Sequence, residues 1–279
     1  MQTNLELDNL NHTVAKPFLR WAGGKRWFVK YLNFIAPTIK YKNYHEPFVG
    51  SGVLFFHLKP NYSVYLSDLN SDLIETYLAI KEEVEKVIGE LKKFKNTEED
   101  YYKIRACKYL SEYKRAARFI YLNQTSFNGI YRVNLNGEYN VPFGYRKKEF
   151  YDPENLRAVS AFLQKATIKA RDFEKCLIDI KKHDLVFLDP PYTVTHNNNG
   201  FFKYNKKLFS LEDQYRLSKM IDLIKEKEAY YILTNSAHKK VESIFDKGDS
   251  KIKLSRASLI GGINAKRGQY EELVFTNLK

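Results

Sequence analysis

The sequence predicts an α/β fold in which one sheet is interrupted by a helical insertion carrying a β-hairpin. Three observations predict it. Between residues 44 and 68 a strand, a glycine-containing loop, a helix and a second strand follow one another. Further on, the apolar run Asp184-Leu185-Val186-Phe187-Leu188 reads as a buried strand that stops at Asp189-Pro190-Pro191-Tyr192. Between these regions the chain becomes charged and helical. A strand, crossover helix and strand make a βαβ unit, the building block of such sheets.

Taken in order, Lys16 to Lys25 is a glycine-containing loop running into a helix over Arg26 to Phe34. Tyr44 to Phe48 reads as the end of a strand. Val49-Gly50-Ser51-Gly52 is the loop, and the apolar run Val53 to Leu58 suits a buried helix. Ser63 to Leu66 is the second strand, ending at Ser67-Asp68-Leu69-Asn70. From about Asp72 to Leu122, Val84, Val87, Ile88 and Leu91 recur at helical spacing. Asn123 to Arg146 is turn-rich, aromatic and basic. Within it, Asn136-Gly137 between Val133 and Val141 signals a hairpin, because both residues tolerate the positive φ of a tight turn. Pro153 to Lys165 reads as a helix, and the α/β alternation resumes at Ala166. Leu211 to Lys227 is a helix, Tyr230 to Thr234 a strand, and Ile252 to Leu254 with Leu273 to Thr276 a closing pair. Residues 15–75 and 160–279 are therefore expected to build the sheet domain, and 76–158 the insertion.

Composition narrows the function classes. Hydrophobic residues make up 44% of the 279 and are spread throughout, so the chain can bury a core. The formal net charge of +13, 46 Lys and Arg against 33 Asp and Glu, favours a polyanionic partner. The 21 Tyr and 19 Phe are enough to fill a core and leave some for base stacking. Cys107 and Cys176 lie far apart without a CxxC spacing, which argues against a disulfide framework and a zinc site. The polar start, Met1 to His12, is not expected to be a signal peptide, and no run approaches the ~20 apolar residues of a membrane span. A cytoplasmic protein is the default expectation.

Two places carry chemistry. In Phe48-Val49-Gly50-Ser51-Gly52, a glycine-rich strand-to-helix turn lets the backbone approach a ligand at the positive end of a helix dipole. Asp68 ends the next strand, 20 positions after Phe48, close to the spacing of about 20 at which an acidic residue meets a ribose in nucleotide-binding βαβ units. The loop does not match GxGxxG, which weighs against a dinucleotide; a tight turn beside an ordinary surface Asp remains the plain alternative. The second place, Asp189-Pro190-Pro191-Tyr192, is more specific. An exocyclic amine on a purine is a poor nucleophile because its lone pair is delocalised into the ring. Asp189 and the Pro190 carbonyl, accepting its two N–H bonds, would favour a tetrahedral nitrogen. The prolines stiffen the turn, and Tyr192 offers a face on which an extruded base can stack.

The segments Phe18-Leu19-Arg20-Trp21-Ala22-Gly23-Gly24-Lys25, Glu46-Pro47-Phe48-Val49-Gly50-Ser51-Gly52 and Asp189-Pro190-Pro191-Tyr192 occur in the order that resembles the Dam-type DNA adenine N6-methyltransferases. The resemblance runs from about Lys16 to Asn277. Phe127 to Asn134 and Gly137 to Gly144 look like that family's target-recognition hairpin. It implies a Rossmann-like methyltransferase sheet with an inserted target-recognition domain. The implied activity is methyl transfer from S-adenosylmethionine to N6 of a flipped adenine in double-stranded DNA, the site being GATC in the Dam-type subgroup. It implies that Trp21 and Lys25 contact the cofactor alongside Asp68 and Asp189, and that Asp172 and Phe173 hold its adenine. Phe201 and Phe202 would cap the target-base pocket. In the hairpin, Arg132 would read a guanine, since its planar fork matches O6 and N7. Phe127 and Asn128 would fill the gap left by the adenine, while Asn134, Asn140 and Pro142 shape the readout. Arg20 occupies the position that contacts the target beside the cofactor motif, whereas Gln124 and Arg146 stand where no role carries over. Lys147, Lys148, Lys266 and Arg267 are phosphate contacts or plain surface charge. No metal is expected, because displacement at a sulfonium methyl needs no Lewis acid.

Other classes fit less well. Methyltransferases of the same fold acting on RNA or on protein glutamine typically carry Asn-Pro-Pro-Tyr and do not need the 123–146 hairpin. An oxidoreductase lacks its dinucleotide spacing here. A catalytically dead DNA-binding module could have lost Asp189 or Gly50, and both are present.

Overall fold

The computed structural model describes residues 14–35, 40–134, 136–192, 209–257 and 269–278. They form two compact units, one of residues up to Gly24 with Asp72–Gln164, the other of Lys25–Ser71 with residues from Lys165 onward.

The second unit is a seven-stranded sheet. Its strands are β1 (Tyr44–Glu46), β2 (Val64–Asp68), β3 (Ala166–Ala170), β4 (Leu185–Leu188), β5 (Tyr230–Ser236), β6 (Ser250–Ala257) and β7 (Gln269–Thr276), in the spatial order β3-β2-β1-β4-β5-β7-β6. The first five run parallel, and β7 pairs antiparallel with both β5 and β6. This is the Rossmann-like methyltransferase sheet expected from sequence. Every residue of β4 is buried, as a parallel strand covered on both faces requires. At the edge, β6 exposes Lys251 and Lys253, charges that discourage pairing with another chain.

The order reverses between β1 and β4, so the loops leaving their carboxyl ends diverge and open a crevice. α1 (Val29–Ile35) and α2 (Val53–Leu58) precede and follow β1 in the chain. α7 (Leu211–Glu226) is started by a capping box in which Ser210 and Asp213 satisfy each other's backbone N–H groups. Leu217 and Ile221 from α7, Val241 and Phe245 from α8 (Lys239–Phe245), and Tyr231 and Phe275 from the sheet share one core. The sequence pattern had not separated α8 from its surroundings.

In the first unit, α3 (Ser71–Leu91), α4 (Glu98–Ala106), α5 (Glu112–Thr125) and α6 (Pro153–Leu163) supply the expected helices. Val87, Ile88 and Leu91 are buried as their spacing predicts, and α3 is kinked at Glu83. The 126–144 segment is less regular than a continuous hairpin. Gly137 has the positive φ of +77° expected of the turn, but pairing consists of isolated bridges, Val133 to Tyr139 and Ser126 to Phe143. Side chains complete the loop. Asn134 Oδ1 accepts from the backbone N–H of Asn136 and of Glu138, and the Tyr139 hydroxyl donates to the Ile130 carbonyl at 2.7 Å.

Candidate active site

The glycine loop leaves β1 and turns tightly into α2. Gly50 and Gly52 have φ of +47° and +63°, the left-handed region in which glycine avoids the Cβ penalty. The Gly50 N–H donates to Asp68 Oδ2 at 3.2 Å, and the Asn70 N–H donates to Oδ1 at 3.0 Å. Asp68 thus sits at the end of β2, tied to the loop. Its neighbour on the far side is the turn after β3, because the Arg171 N–H donates to the Asp68 carbonyl. That turn holds Asp172 and Phe173. The Asp172 carboxylate caps the short 3-10 helix Phe173–Ile178 and receives Arg216 at 2.8 Å. Phe173 is buried and stacks on Phe48 with ring centroids 5.4 Å apart, and the Arg216 guanidinium covers its ring at 4.8 Å.

At the end of β4, Asp189 meets side chains from two other elements. The Lys25 ammonium is 2.7 Å from its Oδ1, and the Thr234 hydroxyl on β5 donates to the same oxygen at 2.7 Å. Lys25 is only 3% exposed, so it is a buried partner rather than a solvated helix start. Tyr192 donates its hydroxyl to Glu272 Oε2 on β7 at 2.6 Å, and Lys25 lies over the Tyr192 ring, 4.8 Å from its centroid. Pro190 is buried at the turn. Burial raises the pKa of Asp189, with Lys25 and Thr234 opposing the rise and Glu272 adding to it. Asp68 is likewise raised by burial, against backbone N–H donors. Burial lifts Glu46, at the end of β1, to about 8, although the Tyr44 hydroxyl opposes it.

Glu46, Asp68 and Asp189 therefore gather at the carboxyl ends of β1, β2 and β4, in a place that penalises negative charge. A cationic ligand with a ribose offsets that penalty and uses the acceptors, so the donor set fits S-adenosylmethionine. Thr234, Glu272 and Arg216 had no signal in the sequence. Glu46 stands in the glycine-loop motif, whose pattern assigns it no role.

In the first unit, Trp21 is half-buried in a cluster with Tyr131 and Phe119, at 5.9 and 6.4 Å between centroids, and those two rings also pack on each other at 5.3 Å. Arg20 donates through its guanidinium to the carbonyls of Gln124 and Ser126, and its pKa is lowered by burial and then by the charge of Arg146. Arg146 in turn donates to the Gln124 side chain at 2.8 Å. Arg132 is exposed, with Nε donating to Asn140 Oδ1 at 2.7 Å. Phe127 is 53% exposed, and its N–H donates to the carbonyl of the exposed Pro142. Asn128 is exposed too, in the left-handed conformation at φ +54°. Asn134 spends its side chain inside the loop, with Nδ2 on Glu138. Lys147 and Lys148 are exposed, whereas Phe201, Phe202, Lys266 and Arg267 lie outside the described residues.

The model of the D12 class N6 adenine-specific DNA methyltransferases matches residues 21–258. The chain belongs to that family. This methyltransferase is 34% identical over 279 residues to the Type II methyltransferase M1.LlaDCHI of Lactococcus lactis subsp. cremoris, covering 96% of this chain and 97% of the relative. It is 36% identical over 247 residues to the Type II methyltransferase M.MjaIII of Methanocaldococcus jannaschii, covering 80% and 84%. With the DNA adenine methylase of Haemophilus influenzae it shares 33% over 269 residues, covering 93% and 92%. The methyltransferase is thus an S-adenosylmethionine-dependent enzyme whose substrate is DNA. Among the described residues, no helix is long and apolar enough to cross a membrane.

Proposed function

We propose that the enzyme methylates N6 of an adenine extruded from duplex DNA, within the sequence GATC. The observation that carries the chemistry is the state of Asp189. Among the described residues Lys25 and Thr234 both engage Oδ1, and Oδ2 would be the oxygen that accepts an amine N–H. The Pro190 carbonyl would take the second N–H, and the lone pair of the amine would then point away from the purine ring. The base would stack on Tyr192, on the face opposite Lys25. S-adenosylmethionine supplies the electrophilic methyl group. Phe48, Gly50, Gly52, Asp68, Asp172 and Phe173 would line its site with Lys25, and Asp68 would accept from the ribose hydroxyls.

Reading of the target belongs to the other unit, the proposed recognition domain. Asn140 orients the Arg132 guanidinium, with Nε on its Oδ1 and Nη2 on its carbonyl at 3.4 Å, and the remaining N–H groups of the two terminal nitrogens would meet guanine O6 and N7. Phe127 and Asn128, exposed on a turn braced by Pro142, would enter the gap left by the adenine. Asn134 supports this by shaping the loop, and Arg20 contacts the target beside it. The Type II names of two relatives favour a restriction–modification setting in the cytoplasm.

Transfer of labelled methyl groups to duplexes containing GATC, GAAC or neither tests the reading. N6-methyladenine confined to the GATC duplex is expected. Label in another duplex would discard the site and keep the chemistry; label only in RNA would discard the DNA reading. Asp189→Ala should abolish transfer and leave DNA binding largely intact.

A further inference from the structure

Glu272 is a buried carboxylate that reaches the Asp189 site from the antiparallel end of the sheet. It lies on β7 opposite Ser236 of β5, is 2% exposed, and precedes the buried run Leu273 to Phe275. A charge in such a place is costly unless it is paired and hydrogen-bonded. Its partners include the Tyr192 hydroxyl, at 2.6 Å from Oε2, and the Lys25 ammonium, at 3.8 Å from the same oxygen. Lys25 is at the same time 2.7 Å from Asp189 and 4.8 Å from the centre of the Tyr192 ring.

We infer that Glu272 is a positioning residue for methyl transfer, setting the Tyr192 ring through its hydroxyl and sharing Lys25 with Asp189. The inference rests on the proposed roles of Asp189 and Tyr192. A tyrosine beside a strand end can otherwise turn about χ1 and χ2. Anchoring its hydroxyl fixes the plane of the ring before a base arrives, so the ordering cost is met in folding. Lys25, placed between two carboxylates, neutralises neither completely. Asp189 stays a strong acceptor, consistent with Glu272 adding to the rise in its pKa.

The test compares Glu272→Gln, Glu272→Ala, Tyr192→Phe and the double variant Glu272→Ala/Tyr192→Phe in steady-state methyl transfer to a duplex. Thermal unfolding with and without S-adenosylmethionine checks that each is folded. Glu272→Ala should lower kcat by about tenfold or more, with both KM values changed less than about threefold. Glu272→Gln still offers an oxygen to the Tyr192 hydroxyl and should recover much of the loss. The double variant should be no slower than the slower single variant, because both remove the same contact. In Glu272→Gln the acid limb of the kcat profile should move to lower pH, since a charge that raised Asp189 is gone. Additive losses in the double variant, or both Glu272 variants within about twofold of the parent with an unmoved acid limb, would overturn the inference. If the Ala variant does not fold, an unmoved acid limb in the Gln variant overturns it alone. Activity retained by Asp189→Ala would instead sink the reading of the site itself.

Discussion

Replacing Glu46 with Gln tests the electrostatics of the crevice without touching any residue that reads DNA. Glu46 is 3% exposed at the end of β1, with the Tyr44 hydroxyl donating to Oε2 at 2.8 Å. Burial is the main reason its pKa rises to about 8; Asp189 and Asp68 add to it, while Tyr44 and a backbone N–H from Phe55 oppose it. In the unfolded chain the same carboxyl titrates near 4.3. Between these values the folded state holds one proton more than the unfolded state, so stability falls as pH rises. The slope is about 1.4 kcal/mol per pH unit, and integrating from pH 5 to pH 8 gives a loss of roughly 3–4 kcal/mol. Glu46→Gln keeps the shape and removes the titration. Urea unfolding of both proteins without cofactor, at intervals across that range, should show the variant gaining on the parent by this amount as pH rises. Parallel curves would refute the burial argument, and with it the claim that the crevice penalises negative charge.

Other expectations follow from single contacts. Gly129→Ala places a Cβ 2.6 Å from Arg20 Nε at a φ of +63°, so thermal unfolding should show a loss of about 1–3 kcal/mol; transfer to the specific site should fall as well. Arg132→Ala should cost about 1–3 kcal/mol of discrimination at one base pair. Equal weakening across all duplexes, with a shallower salt dependence, would make Arg132 a phosphate contact. Asp184 accepts from His45 Nε2, the Lys181 N–H and both nitrogens of Asn43. Burial alone would raise its pKa, but these bonds outweigh it and leave the carboxyl below its usual value. The stability it contributes is full above the usual aspartate range near 3.9 and is lost as pH falls through the folded value. Asp184→Asn should therefore destabilise by about 3 kcal/mol at neutral pH, and by less in acid unfolding.

The parts of the fold visible in the sequence are those whose determinants are local. β4 announces itself as four apolar residues before two prolines, and α2 as an apolar run after two glycines. The antiparallel placement of β7 between β5 and β6 is set by pairing across the chain and leaves no local pattern. α8 is short, capped by His238 and begun by Lys239-Lys240, so its three buried positions, Val241, Ile244 and Phe245, are too few to show a helical period. The 126–144 loop misled in the other direction. Asn136-Gly137 correctly marks a turn, yet the flanks are held mainly by Asn134 and Tyr139 side chains, for which a hairpin pattern has no term.

The same distinction divides the site. Gly50, Asp68, Asp189 and Tyr192 lie at a strand end or within four residues of one, so each is legible from the residues around it. Thr234 and Glu272 act on Asp189 and Tyr192 from strands 45 and 80 positions away. On their own strands they read as ordinary polar alternation, because burial depends on what the sheet stacks against them. Gly129 makes the point for the first unit. Its sequence context marks a turn, but the space where its Cβ would stand is occupied by Arg20, 109 positions earlier. A side chain proposed to contact the target is thus seated by an atom that another residue lacks. Motifs identify the groups that touch the ligand, whereas the groups that hold them at the right angle are specified by packing, and packing is a property of the whole fold.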